Sequence, residues 1–275
     1  MYDFYFGTKE EIAKNETKFL ISIKRMLPKW CNSIPDSEYI ALFKIGDDNL
    51  KNREKPIIVE TGCGASTIVL AYLAMKYNGI LYTWDLNGEK GSELRRIMVE
   101  TLCNYFDKNI NKYWKFIAYN STSKPLGIPI IGELEHCVDM SFHDSRHVWT
   151  NLEKEIELVS KYYVDGSILA IDDGNYYDNY EDIAYINVFR KKLGLSQLES
   201  PVNNIGEQFY ERINRYLRNR WSKVTHFDDY YKKHYKNDLF FKYYESEIDV
   251  RTKLNMEKVK NLPHRFDSWI VSGKK

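Results

Sequence analysis

The stretch over residues 56–74, P-I-I-V-E-T-G-C-G-A-S-T-I-V-L-A-Y-L-A, passes from a short β-branched run through two glycines to an apolar helical pattern. A strand, a tight turn and a helix N-terminus in that order open a βαβ unit, which commits the chain to packing helices on a sheet. The alternation continues. Residues 80–84 read as a second strand followed by a helix over 89–106, residues 114–118 as a third strand, and residues 137–142 as a fourth followed by a helix over 148–163. S-I-L-A-I at 167–171 reads as a fifth strand, ending in Asp172-Asp173-Gly174. Each strand is a nearly continuous apolar run, the pattern of parallel strands covered on both faces.

The expected fold class is therefore α/β: a doubly wound, mostly parallel Rossmann-like sheet with an N-terminal helical extension and a C-terminal α/β tail. The expected organisation is an extension over 1–54, a sheet core over 55–195 and a tail over 196–275 packed on the core. Within these, one helix is expected over 8–27, stopped by Pro28, then a polar connection over 46–55, a helix near 205–220, a Tyr-rich charged stretch over 227–244 and a terminal strand in F-D-S-W-I-V-S.

Composition removes several classes of function. With 43% hydrophobic residues and mean hydropathy −0.54, the 275-residue chain has material for a core and is neither fibrous nor disordered. Lys plus Arg number 40 against 39 Asp plus Glu, a net charge of +1, so no whole-protein field argues for a nucleic-acid partner. The longest apolar run, Ile68–Met75, is far short of the roughly 20 residues needed to cross a bilayer. The N-terminus lacks the basic start and apolar stretch of a secretory leader, and Cys31, Cys63, Cys103 and Cys137 are scattered without a C-x-x-C, so a cytoplasmic location with free thiols is expected. The 22 tyrosines fit aromatic substrate surfaces or a bias of composition alone.

In a doubly wound sheet, ligands bind beyond the carboxyl ends of the strands at the switch point, where Glu60-Thr61-Gly62-Cys63-Gly64-Ala65-Ser66 would lie. Gly62 and Gly64 let a ligand approach the backbone, or simply make a tight turn. A dinucleotide fingerprint would need a third glycine where the chain has Thr67, and there is no G-K-[ST]. Glu60 enters the turn directly, which suits an ammonium group better than a phosphate. Asp85 ends the second strand, where acids that hold ribose hydroxyls sit, although it could instead cap the helix after Asn87. A ligand with a ribose, an ammonium and no phosphate is S-adenosylmethionine.

The motifs E-T-G-C-G-A-S, W-D-L-N, F-H-D-S-R-H and I-L-A-I-D-D-G resemble the class I S-adenosylmethionine-dependent methyltransferases, most of all the small-molecule and sugar O-methyltransferases of the catechol methyltransferase type, over residues 56–195. The resemblance implies a cofactor site of Glu60, Thr61, Gly62, Gly64, Asp85 and Ser121: Glu60 near the methionine amino group, the glycines against the cofactor backbone, Asp85 on the ribose and Ser121 near the adenine. It implies a small-molecule or sugar acceptor and allows a homo-oligomer. In its metal-dependent branch Asp144, Asp172 and Asp173 would hold Mg²⁺ or Ca²⁺, Asp173 replacing the usual Asn. His147 then takes the family's catalytic lysine position, with Asp144 beside it, and imidazole can accept a hydroxyl proton near neutrality.

Each of these residues also has a plain structural role open to it. Asp144 or Ser145 can cap the next helix, His147 can satisfy a helix-end carbonyl, and Cys63 reads as a small turn residue. Arg146 can grip an anionic substrate or sit at the surface, while Tyr176, Tyr177 and Tyr180 can wall an acceptor or pack on the next helix. Two rival functions remain: a nicotinamide-dependent oxidoreductase, and a catalytically silent Rossmann-like binding protein.

Overall fold

The computed structural model describes residues 6–146, 149–172, 191, 194, 196, 227–229 and 271–275. The apolar run after Pro56 forms β1 (Ile57–Thr61), buried along its whole length. It pairs in parallel with β2 (Ile80–Trp84) on one side and β4 (Val138–His143) on the other. Beyond these lie β3 (Trp114–Ile117) and β5 (Tyr163–Ile171), also parallel. Two further strands, β6 (Phe227–Asp229) and β7 (Val271–Lys274), make a sheet that among the described residues has seven strands in the order β3-β2-β1-β4-β5-β7-β6. β7 runs antiparallel to both β5 and β6. The order reverses between β1 and β4, which puts the switch point at the turn after β1. The antiparallel β7, lying between β5 and β6, departs from the 3-2-1-4-5-6 order of dinucleotide-binding sheets.

Side chains alternate across the strands, so β1 feeds two layers. Ile58 joins Leu81, Met140 and Phe142 under α4 (Ala65–Lys76), which is buried from Ala65 to Met75. Ile57 and Val59 join Leu169 and Ile171 under α8 (Trp149–Ser160), which contributes Leu152, Ile156 and Val159, and the short α7 (Ile131–Leu134) adds Ile131 to the same layer. The N-terminal helices α1 (Lys9–Lys14), α2 (Glu16–Lys24) and α3 (Asp36–Leu50) pack into the α4 layer, where Ile12, Phe19, Ile23, Tyr39 and Ile45 share one apolar cluster with the sheet.

Several boundaries differ from the sequence reading. The helix expected over 8–27 breaks at Asn15, whose side chain accepts from the Lys18 N–H at 3.0 Å and so caps α2. The helix expected over 89–106 breaks at Thr101 into α5 (Gly88–Glu100) and α6 (Leu102–Phe106). Gly46 does not open a polar connection but lies inside α3, where a Cβ would collide with Leu73 of α4. β5 begins at Tyr163, earlier than expected, because Tyr163 already pairs with Val138 and a register shift before Ile168, where Gly166 sits at φ +84°, takes up the extra residues. The terminal strand falls on Val271–Lys274. The helix expected near 205–220 and the Tyr-rich stretch beyond Asp229 lie outside the described residues. Among the described residues no helix is long and apolar enough to cross a membrane.

A polar knot fastens the N-terminal helices to α4. Lys76 donates to Glu16 at 2.8 Å and to Asp47 at 2.7 Å, while Tyr72 donates to Glu16 at 2.5 Å and Tyr77 to Asp47 at 2.6 Å. Lys76→Ala would leave both carboxylates without their cation, and urea unfolding should register a loss of about 1–3 kcal/mol. An unchanged midpoint would show that apolar packing alone holds these helices.

Candidate functional site

The turn after β1 is built from beneath. Glu60 points into the α4 layer, fully buried, and accepts from Ser66 Oγ at 2.7 Å and from Thr67 Oγ1 and Thr83 Oγ1 at 2.8 Å each. Burial pushes its carboxyl up to about 8 against the pull of these hydroxyls. Thr67 also accepts from the Gly64 N–H at 3.1 Å, and Thr83 from Trp114 Nε1 at 2.9 Å. Thr67, which replaces the third fingerprint glycine, therefore occupies a backbone donor that a dinucleotide turn would offer to phosphate.

The two turn glycines have different reasons to be there. Gly62 sits at φ +82°, donates to the Trp84 carbonyl at 2.8 Å, and would drive a Cβ into the Asp144 carbonyl. At Gly64 a Cβ would meet only the Cys31 carbonyl, at an ordinary 3.4 Å. That contact brings the short 3₁₀ turn Lys29–Cys31 of the N-terminal region against the glycine turn. Asp85, at the end of β2, accepts from the Cys63 N–H at 2.8 Å and the Asn87 N–H at 2.7 Å. It does not cap α5 itself: Asn87 does, accepting from Glu89 and Lys90. Each Asp85 oxygen retains acceptor capacity. Burial raises the Cys63 thiol well above its usual range, in keeping with a turn residue and not a nucleophile.

At the next strand ends, the Asp144 N–H donates to the Thr61 carbonyl at 2.8 Å and the Asp172 N–H to the His143 carbonyl at 3.0 Å. The backbones of Asp144 and Asp172 thus follow adjacent strands at one edge of the sheet. Among the described residues no group of three His, Cys, Asp or Glu side chains could hold a metal ion. Asp173, His147, Tyr176, Tyr177 and Tyr180 lie outside the described residues.

On the α8 face the structure assembles a polar network absent from the sequence reading. Thr61, fully buried, donates to Glu155 Oε2 at 2.8 Å and lies 3.1 Å from His143 Nδ1. His143 Nδ1 is 3.3 Å from Glu155 Oε2, and its Nε2 is 2.9 Å from Ser141 Oγ, which bonds Tyr163 in turn. Ser121, whose hydroxyl the resemblance aims at adenine, donates to Glu155 Oε1 at 2.6 Å, and Ser145 donates to the same atom at 2.7 Å. Burial alone would raise the Glu155 carboxyl, but His143 and the serine hydroxyls outweigh it and hold the group below its usual range. One signal for Glu155 was present: it falls three residues after Leu152 and one before Ile156, on the apolar stripe of α8, where a charge needs buried partners.

The Glu60 shift has a testable sign. Below the ordinary carboxylate range the folded and unfolded chains both hold the proton. As pH rises towards about 8 the unfolded chain releases it and the folded chain does not, so wild-type stability falls across that window relative to Glu60→Gln. Denaturant unfolding of both proteins at several pH values checks this, and parallel profiles would refute it.

Comparison with known proteins adds a likeness over part of the chain. A family model described as a methyltransferase domain matches residues 59–174. No curated protein matches the chain. Among solved structures it is similar to a TDP-rhamnose 3'-O-methyltransferase of calicheamicin biosynthesis, at 17% identity over 68% of this chain and 78% of that one, with TM-score 0.44. It is also similar to an O-methyltransferase from Bacillus cereus in complex with S-adenosylhomocysteine, at 16% identity, 68% and 80% coverage and TM-score 0.41. A methyltransferase from Thiobacillus denitrificans gives 12% identity, 92% and 95% coverage and TM-score 0.44. The matched family model, and not these distant likenesses, is what bears on function: residues 59–174 of the chain are similar to a methyltransferase domain.

Proposed function

We propose that the protein transfers the methyl group of S-adenosylmethionine to an oxygen of a small molecule or sugar derivative, the acceptor class that the motif resemblance implies. The observation that carries the cofactor half is the Asp85 carboxylate, held by the Cys63 N–H against the glycine turn at the switch point, in a turn whose Gly64 N–H is already taken by Thr67. This arrangement offers a ribose an acceptor and offers a phosphate little. Gly64 and Asp85 then contact the cofactor. Glu60 and Thr61 hold the turn from below, Gly62 allows the turn to pass the Asp144 carbonyl, and Ser121 fixes the loop on the adenine side.

When bound there, the cofactor supplies a methyl carbon on a positively charged sulfur. The protein's own task is to hold the acceptor oxygen about 3 Å from that carbon, in line with the bond that breaks, and to take its proton. His147 is the proposed base for that proton, with Asp144 beside it. A divalent ion on Asp144, Asp172 and Asp173 would orient the acceptor and acidify its hydroxyl. No step here depends on it, and chelation with activity as readout decides its part.

Calorimetry with S-adenosylhomocysteine tests the reading. Asp85→Ala should weaken binding at least about tenfold, equivalent to about 1.4 kcal/mol. Gly64→Ala should do the same while the unfolding midpoint stays near wild type, because the protein itself leaves room for the methyl group. Unchanged affinity in both variants, or stabilisation by NAD in place of S-adenosylhomocysteine, would overturn the assignment. In the active enzyme His147→Ala should lower kcat by about 10² to 10⁴ with cofactor affinity within a few fold. Full kcat in that variant would remove His147 from the role.

A further inference from the structure

Glu155 takes no part in the chemistry above, yet its side chain is 1% exposed and receives hydrogen bonds from four separate pieces of the chain. Thr61 and His143 bring the ends of β1 and β4 to Oε2. Ser121 brings the connection after β3 to Oε1, and Ser145 brings the connection after β4 to the same atom. Asn151, on α8 itself, reaches Oε1 at 3.1 Å and also donates to Ser145 Oγ at 3.1 Å. The two serine loops are the ones that the proposed function sets on opposite sides of the transferred methyl. Ser121 lies on the adenosine side and Ser145 is next to Asp144 on the acceptor side.

We propose that Glu155 is a positioning residue that couples these loops, so that the cofactor-side loop over 119–128 and the acceptor-side loop at 144–146 take up their places together on one buried carboxylate. A buried charge is tolerated only when donors surround it, and bonds to an ionised acceptor are stronger than neutral ones. Each loop therefore has a strong reason to stay on the carboxylate. Release of one changes the field and the hydrogen bonding felt by the other, because both end on the same oxygen. Other ties hold the Ser121 loop: Trp84 Nε1 of β2 donates to the Leu126 carbonyl at 2.8 Å, and within the loop the Ile128 N–H donates to the Ser121 carbonyl at 2.7 Å. The loop thus remains folded while its position answers to Glu155.

The coupling can be read without any ligand, by amide hydrogen exchange on the full chain, and then with S-adenosylhomocysteine as probe. The identification of the two sides rests on the proposed function, whereas the exchange measurement does not. Ser145→Ala should speed exchange in residues 119–128, which it does not touch, and Ser121→Ala should speed it at 144–146. In the wild-type background Ser145→Ala should also weaken S-adenosylhomocysteine by about fivefold or more. In Glu155→Gln both loops should exchange faster, and adding Ser145→Ala should then change neither exchange in 119–128 nor affinity. If Glu155→Gln does not fold, the two serine variants carry the test. Exchange effects confined to the substituted loop would overturn the coupling. A wild-type protein that shows the exchange coupling and fails to bind S-adenosylhomocysteine would refute the cofactor reading and leave the coupling standing.

Discussion

The site depends on the position of β1 at the centre of a sheet covered on both faces. Consecutive side chains of a strand point to opposite layers, so Glu60 and Thr61 at its end send polar groups into two separate apolar layers. Both groups are shut off from solvent. Each group must find protein donors and acceptors, and the surrounding elements are arranged to provide them. In the α4 layer these are Ser66, Thr67 and Thr83, with Trp114 behind Thr83. In the α8 layer they are Glu155 and His143, with Ser121, Ser145 and Ser141 behind them. The turn between the strand and α4 is therefore held from both sides by buried hydrogen bonds.

That arrangement separates residues the turn itself requires from residues with space or acceptor capacity to spare. Gly62 is required by the protein itself, since the Asp144 carbonyl passes where a side chain would be. Gly64 is not, which makes it the better probe of ligand approach. Asp85 serves both ends, fixing the Cys63 and Asn87 amides while keeping acceptor capacity. The N-terminal helices belong to the same design. Through the Lys76 knot they join the α4 layer, and the turn ending at Cys31 reaches the glycine turn from outside the core segment.

The strands were legible because a parallel strand buried on both faces leaves an apolar run of five or so residues that few other elements imitate. Helix ends were less so. Asn15 and Thr101 break helices inside patterns that stay amphipathic across the break, and Gly46 looked like a loop residue because its reason lies in Leu73 of another helix. The places of Asp85 and the two glycines just after strands were legible in the same way. Glu155 was missed because T-N-L-E-K-E-I-E reads as a solvated helix face unless the stripe through Leu152, Ile156 and Val159 is traced through it.

The sequence by itself determined the order of strands and helices, the glycine turn after the first strand and the acids at the strand ends, because periodicity and turn chemistry act over a few residues. Only the tertiary structure decided which of those polar groups the protein itself engages. Glu60, Thr61 and Ser121 look available in the sequence and are engaged in the fold, each by partners 6 to 94 residues away. Such partners are set by the sheet order and by which face a strand residue points to, and both arise only when β1 is placed between β2 and β4.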